Sequence, residues 1–170
     1  QLEDLYLPFK PKRRTRATIA RERGLQPLAE ILLRQEQLHR PRGDVLRPYV
    51  SPDHDVPDEN AALQGACDIV AEHWSEDATS RSWLVQQAAE FGQIVSQARR
   101  GKEDPNSKFA MYFDHRESLK RVPSHRLLAM KRGEAEDVLH VGLKLDDEFV
   151  LRKLKQQWVT NPRFEFHHDL

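Results

Sequence analysis

Apolar residues recur along most of this chain every three to four positions, the period of one helix face. Thr15 is a natural N-cap and Gly24 a natural C′ residue, so "TRATIARERG" predicts a first short helix. Pro27 suits a first helical position, and Leu28, Ile31, Leu32, Gln35 and Leu38 follow at helical spacing, predicting a helix over 27–39. The proline- and turn-rich "HRPRGDVLRPYVSPDHDVPDE" reads as a long packed connection. Leu63, Ala66, Cys67, Val70 and Trp74 form one stripe over 58–74, with Asp58 and Glu59 in the first turn, where the helix dipole favours anions. Ser75 can cap a helix over 76–91 with Leu84, Ala88 and Phe91 inward.

Past Gly92 the pattern shortens. "QIVSQARR" fits a strand or a last helical turn, with the strand preferred, and "GKEDPNSK" reads as a turn. Asp104-Pro105 can start a short helix carrying Phe109, Met111, Tyr112 and Phe113. Pro123 and Ser124 can start another, with Leu127, Leu128 and Met130, closed by Gly133. In "DVLHVGLKL" the alternation is strict: Val138, His140, Gly142 and Lys144 on one side, Leu139, Val141, Leu143 and Leu145 on the other, a strand pattern. Asp146 and Asp147 open a last helix with Phe149, Val150, Leu154 and Trp158, ended by Asn161-Pro162. The expected fold is mainly α, a multihelical domain with one small two-stranded β element.

With 38% hydrophobic residues the chain can build a core, and 32% charged residues imply strongly polar outer helix faces. Lys plus Arg equals Asp plus Glu at 27 each, which argues against a uniformly basic nucleic-acid binder but leaves room for a local patch. The single cysteine, Cys67, excludes an internal disulfide framework and fits a reducing, cytoplasmic setting. No stretch approaches the roughly 20 apolar residues of a membrane span, so no membrane partner is expected. The chain begins at Gln1 without an initiator methionine, and it reads as a piece of a longer protein.

Catalytic patterns are poor. "RRGKED" has a Gly-Lys pair but lacks the earlier glycine and the Ser/Thr of a phosphate-binding loop. Cys67 sits within an apolar stripe and reads as a small hydrophobe. Adjacent His167 and His168 diverge by about 100° on a helix and cannot easily clamp one ion. "DHD" at Asp53, His54 and Asp55 is ordinary turn composition, and His125 sits beside Arg126 at a helix start. No enzyme, no metal and no cofactor is expected. What stands out is positive charge. Lys10, Lys12, Arg13, Arg14 and Arg16 form a strap bracketed by Pro8 and Pro11, in which Leu5, Tyr6, Leu7 and Phe9 read as buried anchors. Arg99, Arg100 and Lys102 form a second cluster, and Arg126, Lys131 and Arg132 a third. Clustered cations are what a phosphate backbone selects, through counterion release. The competing fate for the strap is docking on acids of the same chain, in "DHDVPDE", "EAED" or "LDDE".

"LEDLYLPFKPKRRTRATIARERGLQPLA" and "GKEDPNSKFAMYFDHRESLKRVPSHRLLAMKRGEAEDVLHVGL", in this order, resemble the Tex family of bacterial transcription accessory proteins, and "KFAMYFD" resembles the aromatic block before its Pro-Ser-His-Arg motif. The resemblance covers essentially the whole chain. It implies a fragment from the helical N-terminal region of a multidomain protein, without the RNase H-like, helix-hairpin-helix and OB-fold RNA-binding domains of such proteins. Two functions are expected from it. One is a non-catalytic helical scaffold of a transcription-associated, nucleic-acid-binding protein, with RNA or DNA contacted largely through the other domains. The other is an interaction platform docking the transcription machinery or the remaining domains of its own chain, which an apolar patch including Trp83, Phe164 or Phe166 would favour.

Overall fold

The structure is a computed structural model that describes residues 14–170; the cations Lys10, Lys12 and Arg13, and the anchors Leu5, Tyr6, Leu7 and Phe9, lie outside the described residues. The described chain divides into two compact units: residues 14–77 with 155–170, and residues 78–154. The second is therefore inserted in sequence between the parts of the first.

The first unit contains α1 (Arg16–Glu22), α2 (Gln26–Arg34), the short α3 (Arg42–Leu46) and the long α4 (Glu59–Ser75). Thr15 caps α1 by accepting from the Thr18 amide, and Gly24 takes the left-handed conformation (φ 80°) that ends it, as the sequence predicts. Helix α2 is shorter than the predicted 27–39. Gln35 turns left-handed (φ 51°) and its side chain is bonded elsewhere, so the apolar spacing that continues to Leu38 is not helical. Asp58 caps α4 by accepting from the Ala61 amide at 2.8 Å. The predicted stripe of α4 is rotated: Ala62, Ala66, Ile69 and Val70 are buried, while Leu63, Cys67 and Trp74 lie at its margin. The predicted connection folds into α3, two 3-10 turns and a Ser51–Val56 bridge.

The last residues close this unit. Phe164 and Phe166 are fully buried with ring centroids 5.6 Å apart. Burying each contributes roughly 1.5–3 kcal/mol. Gln35, itself buried, donates from Nε2 to the Trp158 carbonyl (2.6 Å) and accepts from the Thr160 amide (2.9 Å), while Asn161 Nδ2 donates to the Gln35 carbonyl (2.8 Å). Trp158 stacks on Trp74 with centroids 5.7 Å apart. The Arg42 guanidinium covers the Phe166 ring at 4.7 Å and pairs with Asp169 at 2.9 Å.

Glu165 completes the seam. Its carboxylate accepts from the Leu38 and His39 amides at 3.0–3.1 Å, which holds its carboxyl below the ordinary glutamate value of 4.5. A depressed native pKa adds stability that is fully present above the unfolded value and is lost as pH falls through the native one. The seam is therefore expected to weaken below about pH 4.5. Acid-titrated urea unfolding checks this: Glu165→Gln lowers stability at neutral pH and flattens the acid limb, and an unchanged limb would contradict it.

The second unit contains α5 (Ala78–Phe91), β1 (Gln93–Ala98), β2 (Asp114–Ser118), α6 (Ser124–Ala135), β3 (Leu139–Lys144) and the beginning of α7 (Asp147–Trp158). The expected two-stranded element is a three-stranded antiparallel sheet in the order β2-β1-β3. Strand β2, "DHRES", has no apolar residue to show an alternation. Its covered positions are His115 and Glu117, which face their own polar partners, so the burial pattern exists without a hydrophobic one. The short helix predicted to start at Asp104-Pro105 and carry Phe109 to Phe113 is only a 3-10 turn at Ala110–Tyr112. Helix α5 starts at Ala78, because Ser75 ends α4 and donates its hydroxyl to the Glu72 carbonyl. Phe91, which the helical spacing places inward, is 68% exposed.

One sheet face carries Ile94, Ser96, Leu139 and Val141 and packs with Met130 of α6, Phe109 and Tyr112 into this unit's core. Gly133, predicted to close α6, lies inside it against Leu139. No helix among the described residues is long and apolar enough to cross a membrane.

Candidate nucleic-acid interface

The described cations of the three basic clusters have different fates. In the strap, Arg14 pairs with Glu22 at 2.7 Å and Arg16 reaches Asp68 at 3.6 Å. These acids belong to α1 and α4 and not to the three acidic segments expected from the sequence. Such exposed pairs are worth about 0–1 kcal/mol, and Arg16 remains 84% exposed. In the second cluster, Arg99 donates from Nε to the Leu139 carbonyl (3.1 Å) and pairs with Asp137 (3.2 Å). Arg100 and Lys102, on the turn built at Gly101 (φ 78°), are exposed and carry no ion pair among the described residues.

The third cluster is the most strongly held. Arg126 donates to Glu117 at 2.6 Å, and His115 Nε2 lies 3.2 Å from the same carboxylate oxygen. Arg126 first, then His115, holds the Glu117 carboxyl below its usual range. His115 also meets the Tyr112 ring edge-on at 5.7 Å. Lys131 pairs with Glu134 at 2.7 Å, and the Glu134 carboxylate also accepts from the Val141 amide, which ties α6 to β3. Arg132 is exposed and without an ion pair among the described residues. Of the eight described members of these clusters, Arg16, Arg99 and Arg126 tie one element to another, Arg14 and Lys131 pair locally, and Arg100, Lys102 and Arg132 carry no ion pair among the described residues.

A different set faces outward. On the sheet face turned away from the core, the register sets Arg116 beside Val95 and Val95 beside Gly142. The next row is Ser118, Gln93 and Lys144, and the row on the other side is Asp114, Gln97 and His140. Arg116 and Lys144 are exposed and carry no ion pair among the described residues. Sequence reasoning missed this set because its members are scattered singly over three strands. The alternation of β3 already put His140, Gly142 and Lys144 on one side; recognising β2 would have supplied Arg116.

The described residues contain no group of three His, Cys, Asp or Glu arranged to hold a metal ion, and the His167 and His168 rings have centroids 3.7 Å apart and are tilted by 47°. Cys67 lies partly buried, near enough to donate weakly to the Asp169 carbonyl at 3.9 Å. Burial, with Asp169 and Asp68 close by, pushes its thiol from 9.0 up to about 11. Because only thiolate reacts, alkylation at neutral pH is expected to be about 100-fold slower than for an ordinary thiol. Labelling kinetics with iodoacetamide check this, and a rate equal to that of free cysteine would contradict it.

The residues proposed for an apolar docking patch are also sorted. Phe164 and Phe166 are buried in the first unit's core, and half-buried Trp83 rests on Phe149 at 6.3 Å. Val85 and Phe91 on α5, and Phe149 and Leu151 on α7, are exposed.

The sequence model of one protein family, described as Tex central region-like, matches residues 39–166. The chain is 41% identical over 166 residues to the Transcriptional accessory protein Tex of Neisseria gonorrhoeae, covering 96% of this chain and 21% of that protein. It is 47% identical over 149 residues to Protein YhgF of Escherichia coli, covering 88% and 19%. It is 42% identical over 150 residues to Protein tex of Bordetella pertussis, covering 87% and 19%. The chain spans about a fifth of the length of the relatives it matches.

Proposed function

The chain belongs to the Tex family, and from that premise we propose that it is a non-catalytic scaffold within a transcription-associated, nucleic-acid-binding protein of the cytoplasm. Its task is to hold other modules in place while touching nucleic acid lightly and without reading sequence. The observation that carries this reading is the seam of the first unit: Gln35, Glu165 and the two buried phenylalanines clamp the chain's last residues onto its early helices. The name of the gonococcal relative, Transcriptional accessory protein Tex, suggests the transcription context.

A second reading, an interaction platform for the transcription machinery or for other domains of its own polypeptide, is favoured by exposed Phe91, Phe149 and Leu151. The test of the first reading is incubation of the chain with end-labelled single-stranded RNA and duplex DNA, with and without divalent cations. Weak, reversible retention with intact strands is expected. Metal-dependent cleavage, or no retention at any salt concentration, would sink it.

A further inference from the structure

We propose that the outward face of the β2-β1-β3 sheet is a contact surface for the phosphate backbone of nucleic acid, centred on Gly142 and flanked by Arg116 and Lys144. The inference rests on the nucleic-acid part of the reading above and gives it a location.

Gly142 sits in the interior of β3, paired with Val95 of the central strand. A glycine there weakens a strand, through lost backbone entropy and a missing side chain. The cost needs a reason, and the two ordinary ones fail. Its backbone is not left-handed; only Gly24 and Gly101 are positive-φ glycines among the described residues. A side chain would not collide with anything, since a Cβ at this position meets no atom within 4 Å. Gly133 shows the contrast, because its missing Cβ is what lets Leu139 and Phe109 approach. What remains for Gly142 is close approach by something outside the chain.

The surroundings define that visitor. Arg116 lies two strands away from Gly142, roughly 10 Å, and Lys144 two residues along, roughly 7 Å, at ordinary sheet spacings. Gln93, Gln97, Ser118 and His140 add hydrogen-bonding groups on the same face. One acid, Asp114, stands at a corner beside Gln97. On the face behind, Glu117 is already occupied by Arg126 and His115, so it does not neutralise Arg116. The only large apolar side chain of the outward face is Val95, whereas a protein partner needs a desolvated apolar centre. No Phe, Tyr or Trp ring lies among its nine positions, so bases have only the His140 imidazole at one corner to stack on. Dispersed cations and neutral donors on a flat surface with an open centre match backbone phosphates, which position a strand without specifying its sequence.

The experiment is fluorescence anisotropy of the chain with labelled single-stranded RNA and with DNA of the same sequence at low salt, alongside thermal unfolding of each variant. Gly142→Val is expected to leave Tm unchanged or raised, since valine favours a strand, and to weaken both ligands at least about fivefold. The pair Arg116→Glu and Lys144→Glu is expected to weaken them at least about tenfold. The pair Arg100→Glu and Lys102→Glu should stay within about twofold of wild type. If the control pair abolishes binding while Gly142→Val and the sheet variants bind normally, the location is wrong and the broader reading stands. If the wild type binds neither ligand, both fail. A Gly142→Val variant that loses stability as well as binding would also overturn the proposal, because the glycine would then be serving the fold.

Discussion

Phe166→Ala is expected to lower the stability of the first unit by about 3–5 kcal/mol. The ring is completely buried, tilted against Phe164 at 5.6 Å and roofed by the Arg42 guanidinium at 4.7 Å. Removing it opens a cavity that its neighbours cannot fill, because the segment is already pinned on both sides. Glu165 is held by two backbone amides, and Asp169 by Arg42. The deletion also loosens the cation–π contact and leaves Arg42 with only its ion pair. Urea unfolding reads the loss as a fall in midpoint at constant slope. Phe91→Ala is the matched control: that ring is 68% exposed, so its removal should change stability by no more than about 0.5 kcal/mol. Equal effects from the two substitutions would mean that the closing segment is not part of the core.

Gly133→Val is the counterpart in the second unit. A Cβ at this position would stand 2.5 Å from Leu139 Cδ1, 2.8 Å from its Cγ and 3.1 Å from Phe109 Cδ1. Leu139 is fully buried and cannot swing away, so α6 has to lift from the sheet. Overpacking of this kind costs about 1–3 kcal/mol, and valine's helix propensity recovers only about half a kcal/mol over glycine. The expected net loss is about 0.5–2.5 kcal/mol, with faster hydrogen exchange at the Val141 amide, which Glu134 holds across the same contact. The same substitution at Gly142 should have the opposite or no effect on stability, since no atom lies in its way. Two glycines in one small unit thus separate a packing requirement from an external one.

Much of the helical frame could be read directly from the chain. Thr15 and Gly24 mark the ends of the first helix, Asp58 starts α4, and the alternation after Asp137 marks β3. These are local signals: a cap, a turn conformation, a period. The misses are non-local. Gln35 looks like a continuing helix position, but its left-handed turn is stabilised by bonds to residues at 158–161, far along the chain. Strand β2 is invisible to hydrophobic periodicity because His115 and Glu117 take the covered positions, made tolerable by Arg126 and Tyr112. The cationic clusters were legible as composition only. Their partners, Glu22, Asp68, Asp137, Glu117 and Glu134, are chosen by the fold.

This sorting of cations is also what makes the functional account testable. A chain in which many of the described basic residues are held in internal ion pairs should engage few phosphates. The decisive measurement is the slope of log Kobs against log salt concentration for single-stranded RNA binding, since each engaged phosphate contributes about −0.7. The account expects a shallow slope of about −2 to −4, reduced by about 1 or more in the Arg116→Glu and Lys144→Glu pair. A slope of about −8, as all eleven cations first singled out would give, or one untouched by changing the sheet face, would contradict it.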